Sequence, residues 1–191
     1  MGSARGHGFL VVAGPPCAGK SSVARLLAQE SLGADNLFIE VDALFSALLP
    51  QSDRNRSDRM LAYDAAHAVA RASWERDRSP ILECTYARHE QRASLVAALA
   101  DIPQAPLWVV ELIVTADEAV ERFRERVQAT DLDERLVRER AEAFPYSGNA
   151  LRIESATAAP DELARQISTW WADQPSPVDQ GAWAEAGSGW D

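Results

Sequence analysis

Five short runs along the chain are almost continuously apolar and rich in β-branched residues: Phe9–Ala13, Leu37–Val41, Ile81–Cys84, Leu107–Val114 and Leu151–Glu154. Strands covered on one face only alternate apolar and polar positions, whereas strands covered on both faces do not, so these runs predict a buried, mostly parallel sheet. Between them the apolar spacing changes to the helical period. Val23, Leu26 and Leu27 recur after the first run, Tyr63, Ala66, Ala70 and Trp74 after the second, and Leu95, Val96 and Leu99 after the third. Val120, Phe123 and Val127 follow the fourth run, opened by Thr115-Ala-Asp-Glu118, whose first and last side chains form a capping box. Leu136, Val137, Arg140 and Phe144 predict a further short helix. Pro160 opens a last one, with Leu163, Ile167, Trp170 and Trp171 on its apolar face. Alternation of strand and helix implies βαβ units and an α/β layered fold. Two segments depart from this plan. The polar stretch 46–59 is expected to be a long loop covering a site, and residues 174–191, rich in Pro, Gly and acidic side chains, a flexible tail that carries Trp183 and Trp190.

Composition narrows the class. The 191 residues, 47% hydrophobic and 25% charged, suit one soluble domain of 1–173. Two cysteines, Cys17 and Cys84, give no disulfide framework, and no apolar stretch reaches bilayer length, so a cytoplasmic, membrane-free protein is expected. The formal charge of −10 argues against long nucleic acid, which is held by many Lys/Arg–phosphate contacts. The chain uses arginine almost throughout: Lys20 is its single lysine.

That lysine lies in Gly14-Pro15-Pro16-Cys17-Ala18-Gly19-Lys20-Ser21, followed by Ser22, which satisfies G-x-x-x-x-G-K-[ST] at each fixed position. The loop follows an apolar strand and opens an amphipathic helix, the context in which backbone N–H groups and the helix N-terminus converge on phosphate. Lys20 then serves the β- and γ-phosphates of ATP, and the Ser21 hydroxyl serves Mg²⁺. The sequence resembles the small P-loop kinases of the nucleoside/nucleotide-kinase-like group, including zeta-toxin-like, chloramphenicol phosphotransferase-like and single-domain "AAA family" kinases, from about residue 8 to 172. The resemblance implies a three-layer P-loop NTPase fold, a five-stranded parallel sheet in the order 2-3-1-4-5, and a small helical lid at about 124–145.

Beyond the phosphate loop, Asp42 directly follows the second apolar run, at the carboxyl end of the expected strand, where an acid can accept the proton of an attacking hydroxyl. The segment around it is similar to that of chloramphenicol phosphotransferases, in which this aspartate is the proposed base. Polynucleotide 5′-kinases resemble the same layout but carry arginine where Phe45 stands, so a small, partly apolar acceptor is expected. Glu83 is a candidate Mg²⁺ ligand through water, and Arg88 and Arg92, four residues apart, are candidate substrate contacts. His67 and His89 are expected to be ordinary, partly exposed histidines. By resemblance, Arg122 lies at adenine and Arg126 reaches the transferring phosphoryl group, with Arg135, Arg138 and Arg140 as alternates. The expected function is phosphoryl transfer from ATP–Mg²⁺ to a small-molecule hydroxyl. A nucleoside, nucleotide or RNA-end kinase is a second possibility, marked by a phosphate-binding patch of Arg54, Arg56 and Arg59 beside Asp42, and a non-catalytic ATP-binding module a third.

Overall fold

The computed structural model describes residues 8–31, 36–102, 105–126 and 132–187. Strand β1 (Phe9–Ala13) leads through the phosphate loop into α1 (Lys20–Leu26), which widens into a π turn at Leu27–Ser31. Then follow β2 (Asn36–Glu40), α2 (Val41–Leu48), α3 (Arg56–Trp74), β3 (Ser79–Glu83), α4 (His89–Leu99), β4 (Leu107–Ile113), α5 (Ala116–Arg124) and α6 (Glu134–Glu142). The chain continues with β5 (Leu151–Glu154), α7 (Pro160–Ala172) and α8 (Gln180–Glu185). The sheet has five parallel strands in the order β2-β3-β1-β4-β5, as the resemblance implies.

The central strands are apolar on both faces because each face feeds a separate core. Phe9, Val11 and Ala13 of β1 pack with Tyr63 and Ala66 of α3 and Leu95 of α4. Leu10 and Val12 point the other way, onto Val23 of α1 and Ile167 and Trp171 of α7. Side chains alternating across a strand make this two-sided burial possible only for a continuously hydrophobic run.

Three expectations change. The loop expected over 46–59 narrows to 49–55: α2 follows β2 directly and runs to Leu48, and α3 begins at Arg56, capped by the Asn55 side chain accepting from the Asp58 amide. His67 is buried rather than partly exposed, because it lies on the small-residue face of α3 with Ala62, Ala66 and Ala70; its ring nitrogens meet Ser94 at 2.8 Å and Tyr86 at 3.0 Å. The described part of the expected tail is packed. Asp179 caps α8 by accepting from the Ala182 amide, and Trp183, with no exposed surface, enters the core beside Tyr86. Trp190 and residues 127–131 of the expected lid lie outside the described residues. Among the described residues no helix is long and apolar enough to cross a membrane.

Candidate active site

The parallel sheet aligns the carboxyl ends of β1, β2 and β3, and the candidate chemistry gathers there. Gly14 leaves β1 with φ +148°, and a Cβ on it would lie 2.7 Å from the Leu112 carbonyl oxygen, so only glycine allows the loop to start this close to β4. Gly19, at φ +86°, turns the chain into α1. The Lys20 ammonium group is buried and donates to the Pro15 carbonyl at 2.9 Å, spanning the mouth of the loop.

The Ser21 hydroxyl donates to Glu83 Oε2 at 3.1 Å. Glu83 ends β3, and in the sheet order β3 is the strand beside β1, with Val12 opposite Glu83. Burial pushes the Glu83 carboxyl up to about 7, opposed by Lys20 and the Ser21 hydrogen bond and assisted by Asp42 and Glu40. A desolvated carboxylate touching the P-loop hydroxyl fits a hard divalent cation held through oxygen. Among the described residues no group of three or more His, Cys, Asp or Glu could hold a metal ion. Ser21 and Glu83 are the residues here that could hold such a cation, which would need further oxygen ligands from outside the protein.

Asp42 is not on a strand: it lies in the first turn of α2, its side chain 64% exposed and 3.9 Å from the Arg54 guanidinium. It lines one cleft of about 180 Å³ together with Lys20, Ser21, Phe45, Glu83, Arg88 and Arg126. Arg54, Arg56 and Arg59 line the same cleft. Arg54 lies over the Phe45 ring, 4.8 Å from its centroid, so the partly apolar pocket expected from Phe45 is roofed by a guanidinium.

Arg92 is a correction. Arg88 is the residue before α4 and has an extended backbone, so it and Arg92 do not form one helical stripe. Arg88 lines the cleft, whereas Arg92 is fully buried behind it. Its Nε donates to the Tyr86 carbonyl at 2.7 Å, Nη1 to that of Trp183 at 2.9 Å and Nη2 to that of Pro145 at 2.8 Å. It is also 3.6 Å from the buried Glu111 carboxylate, which burial raises to about 7.

The two arginines expected to act together near the lid divide. Arg122 clasps the phosphate loop from outside: its guanidinium donates to the Cys17 carbonyl at 3.3 Å and to the hydroxyl and carbonyl of Ser155, at 2.9 and 3.0 Å. Arg126 lies beyond the end of α5 and reaches the cleft. Arg138 is paired with Asp117 and Arg135 with Glu139, so of the alternates only Arg140 lines the cleft. Cys17 sits between these cations, but burial pushes its thiol up, which keeps it protonated. Sequence reasoning did not identify Tyr63, Thr85, Gln91 or Leu132 as cleft residues. Each projects from a place fixed by tertiary packing, and no local motif marks them.

The family model described as an AAA domain matches residues 9–147, most of the chain and all of this cleft's core elements. The chain belongs to that family. The resemblance to small single-domain P-loop kinases is thereby borne out. Among curated proteins none matches the chain. Solved structures with the same fold include the tunicamycin resistance protein of Deinococcus radiodurans, 16% identical with a TM-score of 0.65, covering 86% of this chain and 95% of that one. A gluconokinase from Sinorhizobium meliloti is 20% identical, TM-score 0.65, with 88% and 94% covered. The APS kinase of Mycobacterium tuberculosis is 20% identical, TM-score 0.58, with 84% and 95% covered. At these identities the likeness is one of fold.

Proposed function

We propose that this AAA-domain chain is a kinase that moves the γ-phosphoryl group of ATP to a hydroxyl of a small molecule. The observation that carries the reading is one cleft lined both by Lys20 with the Ser21–Glu83 pair and by Asp42. A nucleotide-binding module needs the first set and not the second. Similarity of fold to gluconokinase and APS kinase supports the same reading.

The phosphate loop, Gly14 through Ser22, cradles the donor's phosphates with backbone amides, and Lys20 turns its ammonium group from the Pro15 carbonyl to the β- and γ-oxygens. Arg122 holds the loop's shape through the Cys17 carbonyl and ties it to Ser155. Mg²⁺, when bound through Ser21 and Glu83, supplies charge neutralisation between the phosphates. Asp42 accepts the proton of the acceptor hydroxyl as its oxygen bonds to the γ-phosphorus and the bond to the bridging oxygen breaks, releasing ADP. Arg126 offsets charge on the transferring group, and Arg88 and Phe45 shape the acceptor's side of the cleft.

Asp42→Asn tests this. Phosphoryl transfer, followed as ADP release across a panel of alcohols, should fall by roughly 10²–10⁴-fold while ATP affinity stays unchanged. Undiminished transfer in that variant removes Asp42 from the chemistry. One observation favours a second reading, a nucleoside, nucleotide or RNA-end kinase: Arg54, Arg56 and Arg59 line the same cleft as Asp42. Including 5′-hydroxyl oligonucleotides and nucleosides in the panel separates the two. A non-catalytic module would use the Trp-bearing tail as its contact, and Trp183 is instead buried in the chain's own core.

A further inference from the structure

Left-handed backbone is disfavoured for any residue with a Cβ, and most of all for a bulky one. Among the described residues five non-glycine positions adopt it: Cys17, Arg54, Asp77, Tyr86 and Gln174. Asp77 and Gln174 are exposed, in chain that follows α3 and α7. Cys17 and Arg54 line the cleft, and Tyr86, at φ +51°, stands between Thr85 and Arg88, which line it too. Tyr86 is the one aromatic residue of the five, and it is fully buried. Residues in sparsely populated backbone regions persist only where their surroundings fix them, and they gather at functional sites.

Every polar group of Tyr86 is engaged by a side chain of α3 or α4. Its carbonyl accepts from Arg92 Nε at 2.7 Å, its amide donates to the Tyr63 hydroxyl at 3.5 Å, and its own hydroxyl lies 3.0 Å from His67 Nε2. The last contact has a direction. The Ser94 hydroxyl gives its single proton to Asp64 Oδ1 at 2.6 Å, so toward His67 Nδ1, at 2.8 Å, it can only accept. Burial holds the imidazole neutral, its proton is therefore on Nδ1, and Nε2 accepts from the Tyr86 hydroxyl. Asp64, Ser94 and His67 form a chain that runs inward from exposed Asp64 and ends on Tyr86. On the other side, the Thr85 carbonyl accepts from the Gly14 amide at 3.4 Å, at the point where the phosphate loop leaves β1.

We propose that Tyr86 is a positioning residue for the transfer: locked by Tyr63, His67 and Arg92, its left-handed turn holds Thr85 and Arg88 in the cleft and in register with the first amide of the phosphate loop. This rests on the kinase reading, in which Arg88 shapes the acceptor's side, and it adds a residue that does not itself line the cleft.

Two variants test it. Tyr86→Phe keeps the ring and removes the hydroxyl; Ser94→Ala breaks the chain behind His67, at a residue that does not line the cleft. Full-length protein is assayed for ADP release while ATP–Mg²⁺ and the best alcohol of the panel are titrated in turn. In Tyr86→Phe the acceptor KM should rise roughly tenfold while the ATP KM stays within about twofold, and in Ser94→Ala the acceptor KM should rise about threefold. A merely structural role gives another split, because fewer folded molecules lower the maximal rate and leave both KM values alone. Ile167→Val, a core change on the opposite face of the sheet, should show that pattern. An unchanged acceptor KM in Tyr86→Phe, or an equal rise in the ATP KM, overturns the inference; should that variant not fold, Ser94→Ala decides by the same criterion. A wild type that releases no ADP with any alcohol removes the kinase reading instead. The tie to the phosphate loop is then decided by amide exchange, which Tyr86→Phe should quicken roughly tenfold at Gly14 and leave unchanged at Val110 in the β1–β4 ladder. An unchanged Gly14 amide overturns that tie.

Discussion

Replacing Trp183 by alanine is the sharpest test of how the chain's last segment belongs to the fold. Its indole is fully buried, 5.7 Å from the Tyr86 ring and 5.2 Å from the Arg92 guanidinium. Removing a buried tryptophan costs about 3–5 kcal/mol, and a desolvated cation–π contact is worth about 2 kcal/mol of such a total. The variant keeps the Trp183 carbonyl, so Arg92 retains that acceptor, and about 4 kcal/mol is the expected loss. For a chain of this length that corresponds to a fall in melting temperature of roughly 8–16 °C. Urea and thermal unfolding of wild type and Trp183→Ala measure it directly.

A mobile tail gives a different answer, because surface substitutions stay within about 0.5 kcal/mol. A change of that size, with an unshifted melting curve, would refute the docking of α8. The contact also has a functional side. A Cβ on Gly187 would lie 2.9 Å from the His89 amide nitrogen and 3.0 Å from the Arg88 carbonyl carbon, so the segment abuts the start of α4 where Arg88 enters the cleft. In the kinase reading, Trp183→Ala should therefore weaken acceptor binding more than ATP binding, because this segment abuts Arg88 and not the phosphate loop.

Two further outcomes follow from groups beside and behind the cleft. Glu83→Gln removes the charge that meets the Ser21 hydroxyl, and the Mg²⁺ concentration needed for half-maximal ADP release should rise about 10–100-fold, while an unchanged requirement would place the ion elsewhere. His67 is held down to about 4 by burial, with Asp64 opposing, against an ordinary 6.5. A depressed histidine leaves its stability intact above 6.5 and loses it as pH falls toward 4, so between pH 7 and 5 wild type should lose about 2 kcal/mol more than His67→Gln in urea unfolding; parallel losses refute the burial of a neutral imidazole.

The nucleotide end of the cleft was legible because its determinants are consecutive. A strand, a glycine that no other residue can replace, and a lysine–serine pair opening a helix are all local, and β1 and β5 fall where their apolar runs fall. Glu83 was legible through the resemblance to related kinases, from its place near the end of the third apolar run. The acceptor end was less so. The composition of residues 46–59 suggested a loop, although Asn55, three residues before Asp58, is a helix start signal that turn-forming neighbours obscured. Spacing of four made Arg88 and Arg92 partners only if one helix held both, and α4 starts between them. Trp183 read as an isolated aromatic in a polar tail, because the surface it covers, Tyr86 and Arg92, is remote in sequence.

Arg92 explains why these separate misreadings share one cause. Its fork donates to three carbonyls, of Tyr86 after β3, Pro145 after α6 and Trp183 in α8, and so joins three loops that no local pattern connects. A guanidinium presents five donors in a fixed plane, whereas an ammonium group has no rigid fork with which to reach three directions. Such a cation is tolerated in the core because every arm is occupied and Glu111 lies 3.6 Å away. The residue expected to touch the substrate instead fixes the loop that carries Thr85 and Arg88, which do line the cleft. In the kinase reading, the acceptor side of the cleft would be set by buried polar cross-links between distant segments, and the phosphate side by a single contiguous loop.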